Sequence, residues 1–129
     1  MRQKGFTVLE LIIAIVFLLA AGTFFYVQKR DLEVANRDSQ RKTAINAIYY
    51  NLEDIFLPAN KFYPEALTAD QLKGLDPSLL TDPDGKKVGE EESNYRYEPK
   101  DCTEGKCKSY TLTANLEHEA DYIKTSRNQ

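Results

Sequence analysis

Between Leu11 and Val27 the chain carries no charged residue, and charges flank the run on both sides: Lys4 and Glu10 before it, Lys29 and Arg30 after it. No other feature constrains the fold as strongly. A helix needs about 20 apolar residues to cross a bilayer, and Phe6 to Val27 supplies that length if Glu10 is accepted among them. Averages hide the asymmetry. At 42% apolar and 29% charged over 129 residues the composition is that of an ordinary small folded domain.

Three readings compete for this N-terminal segment: a cleaved secretory signal, a plain transmembrane anchor, and a short leader followed by a retained helix. A secretory signal has a basic start, an apolar stretch of about 7 to 15 residues and a small-x-small cleavage site. Here Glu10 interrupts the stretch, Leu19-Ala20-Ala21 is a poor site, and the helical pattern runs on well past it. A plain anchor accounts for the length. Arg2 and Lys4 on one side, against Lys29 and Arg30 offset by Asp31 and Glu33 on the other, favour a cytoplasmic N-terminus. It leaves Glu10 unexplained, since a carboxylate in apolar surroundings costs about 2.5 to 3.5 kcal/mol on insertion scales and reads as functional, with a cationic partner to be named.

Lys4-Gly5-Phe6-Thr7-Val8-Leu9-Glu10-Leu11-Ile12 closely resembles the processing site of type IV prepilins and type II secretion pseudopilins. The resemblance implies a leader of residues 1–5, cleavage after Gly5 by a dedicated peptidase, and N-methylation of the new terminal residue, Phe6. Gly5 lacks a Cβ and leaves the backbone open to the peptidase. Cleavage creates a positive amine on Phe6, and the resemblance assigns Glu10 to pairing with the amine of a neighbouring subunit, which neutralises two charges that are costly in lipid. In one respect the chain departs from the family's commonest pattern. Major pilins often have a proline near the middle of this helix, whereas Phe6 to Leu57 contains none, and Gly22 is the one helix-weakening residue in the apolar run.

After Val27 the pattern becomes amphipathic. Leu32, Ala35, Ile45, Ile48, Leu52, Ile55 and Phe56 recur at three- and four-residue spacings and predict one apolar face. Pro58 predicts the helix end, giving a helix over 6–57, with 6–27 as membrane or filament-core stem and 28–57 amphipathic. Such a helix is roughly 78 Å long, beyond the thickness of a bilayer. The polar stretch from Asn36 to Thr43 reads as an exposed shoulder, and Arg37, Arg41 and Lys42 as a solvated face.

Residues 58–129 predict a small head. Thr68 to Gly74 is a short helix candidate, and Asp76-Pro77 and Asp82-Pro83-Asp84-Gly85 are turn signals. Because some pseudopilins hold calcium on loop carboxylates, Asp82 and Asp84 are also calcium candidates, although the spacing of an EF-hand loop is absent. Tyr95 to Glu98 and Ser109 to Leu116 alternate as strands, the second with Tyr110, Leu112, Ala114 and Leu116 on one face, and a third strand is expected around Asp121 to Lys124. Laid on Ile45, Ile48 and Leu52, they give an α+β, pilin-like fold with a small antiparallel sheet. Cys102 and Cys107 read as a disulfide, which needs an oxidising exterior; with His118 the only histidine, zinc lacks a ligand set.

No histidine-paired nucleophile, phosphate-cradling glycine loop or metal cluster is legible, and Glu90, Glu91 and Glu92 read as a solvated loop. The expectation is a structural subunit without cofactor or enzymatic activity. Its expected partners are copies of itself or other pilins, a peptidase and methyltransferase, the cytoplasmic membrane and an assembly platform within it. A net charge of −3 gives no sign of a nucleic-acid surface. The alternatives are a secretion or DNA-uptake pseudopilin and, from another class, a membrane-tethered binding protein.

Overall fold

The computed structural model describes residues 5–128; Arg2 and Lys4 of the expected leader lie outside them. The chain divides between Ala35 and Asn36 into two compact units. Helix α1 (Val8–Tyr50) contributes to both and passes into a π-helical segment, Asn51–Phe56, and a final turn α2, Leu57–Asn60. In the first unit α1 is long and apolar enough to cross a membrane, and its most apolar stretch is not buried by any other part of the chain.

Both ends of the helix differ from the sequence expectation. Phe6 and Thr7 lie outside it, because Thr7 caps it. At the other end the helix does not stop at Pro58. The Leu57 N–H bonds back five residues to the Leu52 carbonyl, and this wider turn admits a proline, which has no N–H to offer, as the start of a fresh α-turn. Lys61, left-handed at φ 67°, then ends it, its N–H 2.7 Å from the Leu57 carbonyl. The same wide turn brings Phe56 onto the stripe of Ala44, Ile45, Ile48 and Leu52 and turns Ile55 outward, 49% exposed. Leu32 and Ala35, expected on that stripe, are exposed as well, since they lie in the first unit, ahead of the packed segment.

In the second unit the strands β2 (Tyr95–Lys100), β4 (Ser109–Ala114) and β5 (Tyr122–Thr125) form an antiparallel sheet in the order β2-β4-β5. Tyr95 faces Ala114, Tyr97 faces Leu112, and Ala114 faces Tyr122 across the ladder. Alternation sends Tyr95, Tyr110, Leu112 and Ala114 into the core with Ile45, Ile48 and Leu52, all nearly inaccessible. A second ribbon pairs β1 (Tyr63–Pro64) with β3 (Lys106–Cys107). Thr68 to Gly74 is not a helix but two successive turns, the first with the N–H groups of Gln71 and Leu72 on the Thr68 carbonyl and the second with the Leu75 N–H on the Leu72 carbonyl. Seven residues barely exceed the costly helical nucleus, and burying Leu72 fixes the turns instead. The 3₁₀ turn Pro77–Leu80 is capped by Asp76, whose carboxylate accepts the Ser78 N–H at 3.0 Å.

Candidate functional site

Gly5 to Ile12 of the expected processing site lie in the first unit, where the backbone passes from non-helical to helical. Thr7 is the N-cap of α1. Its carbonyl accepts the Leu11 N–H at 3.1 Å and its hydroxyl accepts the Glu10 N–H at 3.3 Å. Glu10 reaches back: Oε2 accepts the Thr7 N–H at 2.8 Å and the Thr7 hydroxyl at 3.1 Å. This reciprocal pair is a capping box, which satisfies helix donors that would otherwise lack partners. The signal was in the sequence as Thr-x-x-Glu ahead of an apolar run, although Glu10 drew attention only as a charge in an apolar segment. Gly5 and Phe6 lie ahead of the cap in non-helical backbone, and the Phe6 side chain is 89% exposed. Glu10 Oε1 accepts no bond from a described residue.

Asn36 to Thr43 is exposed on one side only: Asn36, Ser39, Gln40 and Thr43 are exposed, as the composition suggested, whereas Asp38 and Arg41 are buried. Arg41 is 1% exposed and Asp38 3%. Arg41 Nη1 donates to Asp38 Oδ1 and to Glu117 Oε1, both at 2.8 Å, while Arg37 binds both oxygens of Glu117, at 2.8 and 2.7 Å. Asp38 in turn accepts the N–H groups of Glu117 and His118 at 3.0 to 3.2 Å. Burial pushes the Asp38 carboxyl up, but those backbone donors and Arg41 outweigh it and hold it below the usual value. Hydrogen bonds from Arg37 and then Arg41 bring Glu117 down to about 2.

A second buried carboxylate, Glu53 in the π segment, fastens another part of the same unit. It accepts the Tyr110 hydroxyl at 2.8 Å, the Tyr63 hydroxyl at 3.1 and 3.2 Å, and the Arg127 N–H at 3.2 Å. Burial, then the Glu53 charge, pushes the Tyr63 hydroxyl up to about 12. Both Asp38 and Glu53 are therefore structural: every oxygen that they direct inward already holds a donor.

Comparisons with protein-family models, curated proteins and solved structures give no match to this chain.

The remaining candidates resolve locally. Asp82 is buried in an Asx turn: Oδ1 accepts the Asp84 and Lys86 N–H groups, both at 2.9 Å, and Oδ2 accepts the Asn94 N–H at 2.8 Å. Asp84 has Arg41 at 3.4 Å. The pair is thus engaged by N–H donors and a guanidinium, which is the chemistry of a turn rather than of a calcium cage, and among the described residues no group of three or more His, Cys, Asp or Glu could hold a metal ion. Cys102 and Cys107 form the expected disulfide, with Cα atoms 4.0 Å apart. Cys107 is buried on β3 and Cys102 is exposed.

Proposed function

We propose that this chain is the structural subunit of a type IV pilus or a related filament, made as a membrane-inserted precursor, trimmed after Gly5, methylated on Phe6 and polymerised through its N-terminal helix. One observation supports the reading most. A non-helical Gly5–Phe6 junction stands directly before a helix whose large apolar side chains from Phe6 to Val27 are 48 to 89% exposed, with Glu10 the only charge among them. Unburied apolar surface of this extent needs lipid or sister helices. Hydrolysis of the Gly5–Phe6 amide leaves an amine at the mouth of a helix that presents a carboxylate one turn later. Glu10 Oε2 is occupied by its own cap, and Oε1 is the atom left for a neighbour's amine. The pair lets the assembled stem carry no net charge in an apolar setting.

The disulfide fits a head exposed to an oxidising compartment outside the cytoplasmic membrane. The partners in this reading are further copies of the chain or other pilins, the peptidase and methyltransferase, and a platform in the membrane. Intact-mass analysis of protein from peptidase-competent cells should find a chain that begins at methylated Phe6; one that still begins at Met1 refutes the reading. Glu10→Ala should be processed normally while sheared filament yield falls at least about tenfold, the lower bound for losing a pair that offsets a couple of kcal/mol. Undiminished yield from that variant removes the pairing role.

A further inference from the structure

Two exposed, charged features of the second unit lie at opposite ends of its packed helix. The first is the loop that leaves the Asp82 turn. It is fastened near the start of that helical stretch, through the Lys86 N–H on Asp82 and the Arg41–Asp84 contact. Beyond this anchor Lys86, Lys87, Glu90, Glu91 and Glu92 are all exposed, two cations followed by three anions. Lys86 and Glu92 make one exposed pair at 3.5 Å, while Lys87, Glu90 and Glu91 have no ion pair among the described residues.

The second feature is a cavity of about 650 Å³ where the helix ends, about 30 Å further along its axis at 1.5 Å per residue. Phe62 and Tyr63 contribute apolar wall, and Lys61, Lys106, Lys108, Asp101 and Glu104 line it as well. These are three cations and two anions, the inverse of the loop. None of the five is in an ion pair with any described residue, although they share one cavity. Lys106 Nζ lies instead 5.3 Å from the centre of the Phe62 ring.

The supports of these charges are rigid. Glu104 and Gly105, at φ 53° and 76°, make a tight turn closed by reciprocal Thr103–Lys106 backbone bonds of 2.9 and 3.0 Å, inside the disulfide ring. Lys61 is fixed as the left-handed cap of α2. The backbone that carries these charges is therefore in place before binding and loses little freedom on association, while the exposed lysine side chains are ordered by the contact itself. The unpaired state of the charges in the isolated chain is what a charged partner would relieve.

We propose that the cavity receives the 86–92 loop of a second copy of this chain, with Glu90, Glu91 and Glu92 against the lysines and Lys86 and Lys87 against Asp101 and Glu104. A contact between different patches at opposite ends of one unit is heterologous: each copy keeps one patch free for the next, and the contact propagates from copy to copy wherever its rotation does not close a ring. The inference rests on the filament reading and adds to it a head-to-tail contact between heads, independent of the N-terminal stem.

The test uses the full-length chain in membranes. The variant Glu91→Cys/Lys108→Cys, treated with a short bis-maleimide, should give a ladder of dimers, trimers and higher multimers, because the native cysteines are paired and do not react. Chains with one of the two cysteines should stay monomeric alone and give only dimers when co-expressed. Adding Glu90→Lys and Glu92→Lys should weaken the ladder about tenfold through like-charge contact, and further adding Lys61→Glu and Lys106→Glu should restore it. Absence of a ladder, or dimers from Glu91→Cys alone, overturns the contact. The N-terminal mass read on the same sample reports separately on the filament reading: a ladder in chains that begin at Met1 supports the contact and refutes the processing.

Discussion

Arg41 shows how much of a residue's role lies outside its neighbourhood in sequence. With Arg37, Asp38 and Lys42 it reads as a solvated basic cluster, but Arg41 is buried between Asp38 and Glu117, the latter 76 residues away, while Arg37 and Lys42 stay partly exposed. No local pattern announces that pairing. Glu10 is the opposite case: a single carboxylate in an apolar run marks it in the sequence, and its cap with Thr7 needed the geometry. Glu117 sets a pH dependence. Its carboxyl drops from an ordinary 4.5 to about 2 in the folded chain, so its contribution is complete above about 4.5 and is lost as the pH falls through about 2. Glu117→Gln should therefore lower the melting temperature at pH 7, with the gap from the parent chain closing between pH 4.5 and 2. Thermal unfolding of both chains across that range checks it, and a constant gap would show that the charge is irrelevant.

Among the elements, those with long periodic patterns were the legible ones. The alternation of Tyr110, Leu112 and Ala114 is enough to locate β4 and its buried face, and the uncharged run is enough to locate α1. β1 and β3 were not legible, since two-residue strands have no period and Pro64 argues against a strand at all. The π segment was not legible for a related reason: Pro58 reads equally as a stop and as the second residue of a new turn. Within α1, a Cβ added at Gly22 meets nothing within 4 Å. Gly22→Ala should then stabilise the isolated helix by about 1 kcal/mol, measured by thermal melting of helicity in detergent micelles. A loss of stability instead would refute the helical, open surroundings of Gly22.

For the molecule as a whole, the disulfide and the two buried carboxylates do similar work at different places: each ties a late stretch of chain to something already in position. Opening the Cys102–Cys107 disulfide should cost about 2 kcal/mol, the chain-entropy value for so small a ring, and replacing both cysteines by serine should cost more, because position 107 is buried. Chemical denaturation of the full chain in oxidising and reducing buffer checks this, since the parent should lose about that much on reduction and the variant should not change. Asp38 and Glu53 reach partners 74 to 80 residues further along the sequence. That separation imposes an order in time. Ile45, Ile48 and Leu52 emerge from the ribosome long before Tyr95, Leu112 or Arg127 exists to cover them, so the newborn helix passes through a stage with its inner stripe bare. A stem already held in lipid while the strands are still being delivered would keep that stripe from meeting the stripes of other unfinished chains.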